Sequence, residues 1–564
     1  MTRIRAAALT ITAALTLAAQ PALTSTATAA LRPAPAAPAV PFAATAAAPT
    51  AAAPTAPAPP PTAATATTAP AAPPATERRA ALTAQPSHAE AGTGPHPPAS
   101  IAEVIDEVLA DPALAGSQAG VVVADARTGA TLVDRAGARR LLPASNVKLF
   151  TSAAALAILG PGHRFVTEVK ASGVRRGSSL TGDLHLRGEG DPALSPADLD
   201  ALARDVAATG LQVITGNLVA DDTSFDSQRL GPDWAWDDET SAGAAPVSAL
   251  TLAPDEKYLA GTVTVKAVAA PVDNRPARLT VDPPSRQLTV INRTTTVGSA
   301  PGIEVTRRHG TDEITVTGRV LRGAAPVTQA VTVREPTALV ADVFRTALRR
   351  HGVRVKGLIV AGKATPAEAS ALARHRGRPL RELMNPLLKR SNNAMAEQLV
   401  KAVGRTAAGA GTWPAGTNAI ASYLARLGVD TSTMRLADGS GLSRHNLVPP
   451  AAIARFLLAV RSEPWFPLWY DALPLAGHPD PLAGGTLRLR MRDTPAAGNV
   501  RAKTGTLTGA SALSGYVTSA DHRPLVFSVV INNQLSPSVT PLLDRIAVAL
   551  ARRPQGPESA GGAL

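Results

Sequence analysis

The chain is 564 residues long, carries a formal net charge of +13 and contains no cysteine. Without thiols there is no disulfide framework, thiolate metal site or cysteine nucleophile, and the ten histidines show neither H-E-x-x-H nor a paired ligand spacing, which sets a zinc peptidase aside. The positive charge comes without a zinc finger, an aromatic-interleaved basic stretch or a basic helix, so nucleic acid is not the expected partner.

At the N-terminus, Arg3 and Arg5 precede a moderately apolar stretch from Ala6 to Ala19, and Ala27-Thr-Ala29 supplies an A-x-A cleavage site. Residues 1–29 thus read as a signal peptide, and the expected location is extracytoplasmic. No later stretch reaches the roughly 20 apolar residues of a membrane span, so no transmembrane anchor is expected after cleavage. Residues 30–99 are mostly Ala, Pro and Thr, as in Pro57-Ala-Pro-Pro-Pro61, and read as an extended linker with polyproline character. This tract inflates the hydrophobic total of 45%. What remains from residue 100 exceeds one simple core and predicts more than one domain.

Beyond the linker, Ala119 to Asp134 reads as a β-hairpin turning at Arg127-Thr-Gly129. A largely apolar helix is predicted from Asn146 to Leu159, stopped by Gly160-Pro161 and opened by Ser145-Asn-Val-Lys148. Residues three apart share a helix face, so the Lys148 amine reaches the Ser145 hydroxyl. Taking that proton requires a neutral amine, which burial and a second cation such as Lys503 would favour. Further on, runs of Val, Thr and Leu broken by Gly and Pro read mainly as β, with Leu259–Lys266 and Glu313–Gly318 representative. Ser391-Asn-Asn393 opens a helix predicted over 393–403, and another is predicted over 450–462. Lys503-Thr-Gly505 begins an extended segment, followed by strands at Ser514–Thr518 and Leu525–Ile531. A glycine there allows a peptide backbone to lie along the strand and pair with it.

Taken singly, each motif reads as a helix cap or an edge-strand lysine. In order, and with Asp438-Gly-Ser-Gly-Leu-Ser-Arg444 between the last two, they resemble the penicillin-binding DD-peptidases, specifically the class C, low-molecular-mass D-alanyl-D-alanine carboxypeptidase/endopeptidases. Asn392 stands where the related motif has aspartate. Ser391 follows Ser145 by 246 positions (391 − 145), far more than a compact β-lactamase spaces these motifs, and Lys503 follows Ser391 by 112 (503 − 391). Local likeness extends to Leu184-His-Leu-Arg-Gly-Glu-Gly-Asp-Pro-Ala-Leu194 and Trp234-Ala-Trp-Asp-Asp-Glu239, although Thr240-Ser-Ala-Gly-Ala-Ala245 replaces tyrosines common in the family.

The resemblance implies an α/β, DD-peptidase/β-lactamase-like transpeptidase fold, an antiparallel sheet covered by helices, with large, mainly β nested domains. The expected borders are 100–171 and 366–553 for the two parts of the catalytic domain, 172–365 for the insert and 554–564 for a flexible tail. It also implies Ser145, Lys148, Ser391, Asn393 and Lys503 as catalytic residues, with the Ser145 and Thr506 N–H groups as oxyanion hole. Thr504, Gly505, Thr506 and Arg444 are the implied substrate contacts, and Asp237 and Asp238 are further candidates for a charged group of the donor. The implied substrate is a peptidoglycan stem peptide ending in D-Ala-D-Ala, β-lactams are the implied covalent inhibitors, and no cofactor or metal is expected. His445, beside the Asp438 motif, invites a serine–histidine relay that Lys148 makes unnecessary. The rival readings are a β-lactamase and a non-catalytic cell-wall-binding protein on the same fold.

Overall fold

The computed structural model describes residues 100–552. The expected signal peptide, linker and tail lie outside these residues.

The first segment holds α1 (Ile101–Leu109), β1 (Gln118–Asp125), β2 (Thr131–Arg135) and α2 (Val147–Ile158). There follow β3 (Val166–Arg176), β4 (Ser179–Gly188), α3 (Pro196–Ala208), β5 (Val213–Ile214), β6 (Leu218–Asp221), β7 (Thr262–Val268), β8 (Arg278–Asp282), β9 (Thr289–Val297), β10 (Gly302–Arg307), β11 (Glu313–Leu321), β12 (Val327–Thr332), α4 (Pro336–Arg350), β13 (Arg354–Val355), β14 (Ile359–Ala361) and β15 (Ser370–Arg376). The remainder contains α5 (Leu380–Lys389), α6 (Asn393–Ala408), α7 (Trp413–Arg426), α8 (Pro450–Ala459), α9 (Phe466–Asp471), α10 (Pro481–Gly484), β16 (Arg501–Leu507), β17 (Ala510–Thr518), β18 (Pro524–Asn532) and α11 (Thr540–Arg552).

The two ends of the described residues build one antiparallel sheet, ordered β16-β17-β18-β1-β2, in which Val121 stands opposite Val529 and Lys503 opposite Ser514. Side chains alternate between faces, and here both faces are covered. Val121, Val123, Phe527 and Ile531 pack with Ile105 of α1 and Ile546 of α11. Val122, Val526 and Val530 join the helical core of Phe150, Leu399, Trp413 and Phe456 on the other side. Double coverage explains why these strands read as near-continuous apolar runs.

Between these halves stand a seven-stranded sheet, with the path β13-β5-β4-β3-β15 and β6 joining β4 to β14, and two three-stranded sheets, β10-β11-β9 and β12-β7-β8. The seven-stranded sheet begins at Val166 and ends at Arg376, so it reaches past the expected insert borders of 172 and 365 on both sides. The strands expected at 259–266 and 313–318 are β7 and β11. The insert also contains two helices that the β reading passed over. Ser195 and Asp198 form a capping box that spans Pro196 at the start of α3, whose Leu199, Leu202, Ala203 and Val206 are buried. Leu339, Val340, Val343, Phe344 and Ala347 line one face of α4 and share a core with α3 and the strands.

Phe344 is fully buried in this core. Phe344→Ala is expected to lower the free energy of unfolding by about 3–5 kcal/mol, read as a shifted urea midpoint; an unchanged midpoint would show that this core does not contribute to the stability of the chain.

Candidate active site

Ser145 lies in a single 3₁₀ turn, Ala144–Asn146, that runs directly into α2. The turn is pressed between two backbone segments. Gly441 has φ of 86°, and a Cβ there would stand 1.9 Å from the Ala144 carbonyl oxygen; a Cβ on Gly505 would stand 2.7 Å from that of Pro143. Only glycine permits both approaches. They set the Asp438 motif and β16 on either side of the serine.

The Lys148 side chain is buried. Its Nζ lies 2.9 Å from Ser145 Oγ, 2.6 Å from Asn393 Oδ1 and 2.6 Å from the Ser440 carbonyl oxygen. All three partners are neutral groups. Burial therefore lowers the Lys148 pKa to about 7, only partly offset by the more distant charges of Glu397 and Asp438. As an ammonium, Lys148 donates to all three oxygens. As an amine, it keeps its two N–H bonds to Asn393 and Ser440 and turns its lone pair to the serine hydroxyl. Proton transfer from Ser145 thus needs no rearrangement of the other two contacts.

Ser391 follows α5 with a φ of 55°, a left-handed conformation that costs a non-glycine residue free energy. Asn392 caps α6 by accepting from the Met395 N–H, and Asn393 begins the helix. Lys503 on β16 donates to Ser391 Oγ at 2.8 Å and to the Thr504 carbonyl at 2.8 Å. It is also buried, and burial followed by the nearby Lys148 cation hold its pKa well below the ordinary lysine value. Thr504 is nearly buried with its hydroxyl on Thr486, 2.9 Å away, whereas Thr506 is exposed.

Two buried carboxyl groups that the sequence reading did not single out as site residues hold this arrangement. Glu397, one α6 turn beyond Asn393, accepts from the Trp413 indole at 2.7 Å and from the N–H groups of Gly439 at 3.2 Å and Ser440 at 2.7 Å. It fixes the turn whose Ser440 carbonyl faces Lys148. Burial, with Asp438 nearby, pushes the Glu397 carboxyl well above its ordinary range. Asp438 accepts from the Gly441 and Ser443 N–H groups, the Asn446 amide and the Trp234 indole. The signal for Glu397 is its helical position four residues after Asn393, which carries meaning only once Gly439 and Ser440 are known to lie opposite.

The insert completes the site. Asn393 Nδ2 donates to Gly243 O at 2.7 Å, and Asn392 Nδ2 to the carbonyls of Lys257 at 3.0 Å and Tyr258 at 2.8 Å. A cleft of about 540 Å³ opens beside Ser391 and Asn393, walled by Gly243, Lys257, Leu259 and Thr486. Arg444 donates to the Thr508 carbonyl at 3.1 Å, just past the end of β16. Asp238 has a raised pKa, chiefly from burial and then from Asp237, with Arg444 opposing. Arg444 and the Asp237–Asp238 pair therefore share one region. His445 does not join Ser145; its ring pairs with Asp233. Among the described residues, no group of three or more His, Asp or Glu side chains is arranged to hold a metal ion, and no helix is long and apolar enough to cross a membrane.

A serine hydroxyl held by a buried lysine, with a second serine between α5 and α6 bound by the lysine of the adjoining strand, beneath an antiparallel sheet covered by helices, defines the class of active-site serine DD-peptidases. Residues 101–553 match the D-Ala-D-Ala carboxypeptidase 3 (S13) family, and the chain belongs to it. It is 46% identical over 465 residues, 81% of this chain and 86% of the relative, to the D-alanyl-D-alanine carboxypeptidase of Actinomadura sp. (strain R39). It is 28% identical over 422 residues, covering 74% of this chain and 86% of the relative, to the D-alanyl-D-alanine carboxypeptidase DacB of Haemophilus influenzae. The crystal structure of penicillin binding protein 4 (dacB) from Haemophilus influenzae superposes with a TM-score of 0.69 at 26% identity, covering 79% of this chain and 98% of that one.

Because the folded Lys148 pKa lies below the ordinary value of 10.5, between about pH 7 and 10.5 the unfolded chain holds a proton that the folded chain has released. Stability from this group therefore rises with pH across that window and is flat below about pH 7. Lys148→Met removes the titration, so its unfolding free energy should rise less steeply between about pH 7 and 10 than that of the wild type in urea titrations. Parallel curves would contradict the depressed value.

Proposed function

We propose that the chain is a serine-type D-alanyl-D-alanine carboxypeptidase that also cuts D-amino-acid-linked cross-links, acting on peptidoglycan stem peptides through an acyl-enzyme on Ser145. The observation that carries this reading is the 2.9 Å contact between Ser145 Oγ and a buried Lys148 whose pKa lies near 7. At neutral pH a large fraction of Lys148 is the free amine that the reaction needs as its base.

In this reading Lys148 takes the hydroxyl proton as Ser145 Oγ bonds to the carbonyl carbon of the penultimate D-alanine. The N–H groups of Ser145 and Thr506 receive the oxyanion. As the C–N bond breaks, the proton taken by Lys148 passes by way of Lys503 and Ser391, which are joined at 2.8 Å, to the leaving amine, leaving Lys148 neutral for deacylation. Asn393 keeps one N–H for the substrate amide, since its oxygen serves Lys148 and its other N–H serves Gly243. Thr504 and Thr506 flank Gly505 on β16 and are assigned the terminal carboxylate; β16 itself pairs with the peptide backbone. Water then cleaves the acyl-serine and Lys148 regains its starting state.

A β-lactam presents a strained amide to the same groups and remains as an acyl-serine. One solved neighbour, penicillin binding protein 4 of Haemophilus influenzae, is described in complex with a β-lactam; it aligns with a TM-score of 0.64 at 25% identity over 79% of this chain and 98% of that one. Residues 1–29 are assigned as an export signal, and the charge of +13 would favour retention among anionic wall polymers.

Purified protein exposed to benzylpenicillin should gain one slowly decaying mass adduct on the peptide holding Ser145, and Ser145→Ala should abolish both the adduct and D-alanine release. No adduct on folded wild-type protein would defeat the acyl-serine mechanism. Rapid multiple turnover of nitrocefin would instead favour a β-lactamase. The acylation rate should climb through about pH 7 and level off above it, since the base is competent only when neutral. A rate independent of pH between about 5 and 9 would remove Lys148 as the base. Arg444→Ala is expected to slow cleavage of donors bearing a free side-chain carboxylate more than donors lacking one; equal losses on both would remove Arg444 from substrate recognition.

A further inference from the structure

The cleft beside Ser391 and Asn393 has a wall that the catalytic residues do not account for. Pro481, Gly485, Thr486 and Arg488 build it, from α10, the 3₁₀ turn Gly485–Leu487 and the residue that follows. This wall is tied to α5 by Lys389, the last residue of that helix, which is only 3% exposed. Lys389 Nζ donates to the Ala483 carbonyl at 2.6 Å and to that of Leu473. Gly485 has φ of 54°, and a Cβ there would stand 2.5 Å from the Lys389 carbonyl oxygen, so the turn lies directly against the end of α5. These contacts fix the backbone on both sides of Thr486, whose own side chain is exposed at the cleft.

The Thr504 hydroxyl donates to Thr486 Oγ1 at 2.9 Å. A hydroxyl has one hydrogen to give, so Thr504 has committed its own to Thr486 and offers none to a substrate. Thr486 accepts that bond and keeps its hydrogen for the cleft. Exposure agrees with this order: Thr504 is nearly buried and does not line the cleft, whereas Thr486 is exposed and does. A hydroxyl that already accepts a hydrogen bond is polarised into a better donor. The cleft lies on the leaving side of the reaction, because Ser391, which passes the proton to the leaving amine, lines it as well. Its charged lining side chains are Lys257, Lys389, Arg390 and Arg488, with no acid among the described residues, and this suits an anion.

We propose that Thr486 is a specificity-determining residue for the leaving group, its hydroxyl donating to the carboxylate of the departing residue, with Thr504 as the positioning residue that orients it. The proposal rests on the acyl-serine reading of Ser145 and moves one carboxylate contact from Thr504 on β16 to the turn after α10. A donor whose leaving group lacks that carboxylate gains nothing from Thr486. The residue therefore acts on the choice of leaving group and not on proton transfer at Ser145.

Two thioester donors with the same acyl part test it: an N-acyl-D-alanyl thioglycolate, whose leaving group ends in a carboxylate, and the corresponding ethyl thioester, whose leaving group does not. Thiol release by the wild-type chain should favour the thioglycolate in kcat/KM. Thr486→Val should lower kcat/KM on the thioglycolate by about 10- to 100-fold, the range for losing a hydrogen bond to a charged group, and leave the ethyl thioester within about twofold. Thr486→Ser, which keeps the hydroxyl, should restore most of the preference. Equal losses on both donors, no loss on either, or a larger loss of preference in Thr504→Val than in Thr486→Val would each overturn the proposal. If the wild type releases thiol from neither donor, the acyl-serine reading falls with it; if it turns over both without preference, only the assignment of Thr486 falls.

Discussion

The site depends on one buried amine that has no carboxylate in direct contact. Moving a lysine out of water costs several kcal/mol unless its N–H groups are satisfied, and Lys148 meets that demand with a hydroxyl, a side-chain amide and a backbone carbonyl. The choice of neutral partners matters. An aspartate at the same distance would hold the lysine charged, with no lone pair to turn toward the serine. Lys401 shows the alternative: it too is buried, but Asp226 lies 2.5 Å away and the Trp413 ring sits beneath it. That pairing is structural, and Lys148 is distinguished from it by its partners, not by its depth.

Each neutral acceptor must be delivered from a different part of the chain, and this accounts for much of the surrounding architecture. Ser440 O is presented by a turn that Glu397 and Asp438 grip through backbone N–H groups, and α6 supplies Glu397 from the same helix that supplies Asn393. The two carboxyl groups thus act on Lys148 at one remove, through the shape of a turn and through a field that only partly opposes desolvation. Lys503, buried beside them, is itself held toward the neutral form by burial and by the Lys148 charge, and makes its own bond to Ser391. Two lysines in one dry pocket favour at least one of them being neutral.

The insert bears directly on this centre. Gly243 fixes the Asn393 amide, Trp234 donates to Asp438, and the Lys257 and Tyr258 carbonyls hold Asn392. The loops from 231 to 259 therefore form a wall of the cleft, anchored further out where Glu239 meets Arg307 and His309. The same segment borders a second polar cavity on its far side, lined by Asp191, His375 and Arg378.

Sequence alone determined the local elements and the three motifs that the fold brings together. The hairpin at 119–134, the apolar helix after Ser145, the cap at Asn392 and the strands around 514–531 are set by short-range periodicity and turn chemistry, and the three motifs carry their residue types in fixed local spacing. The helices α3 and α4 were also written there, in the Ser195–Asp198 capping box and the spacing of Leu339, Val343 and Phe344, but frequent Val and Thr around them drew the reading toward β. Only the tertiary structure decided which groups meet: that Ser440 rather than a charged residue completes the shell of Lys148, that Glu397 holds the turn, and that Arg444 lies with Asp238. Those contacts join residues tens to hundreds of positions apart, and a pKa depends on the burial and partners they create, which no local pattern records.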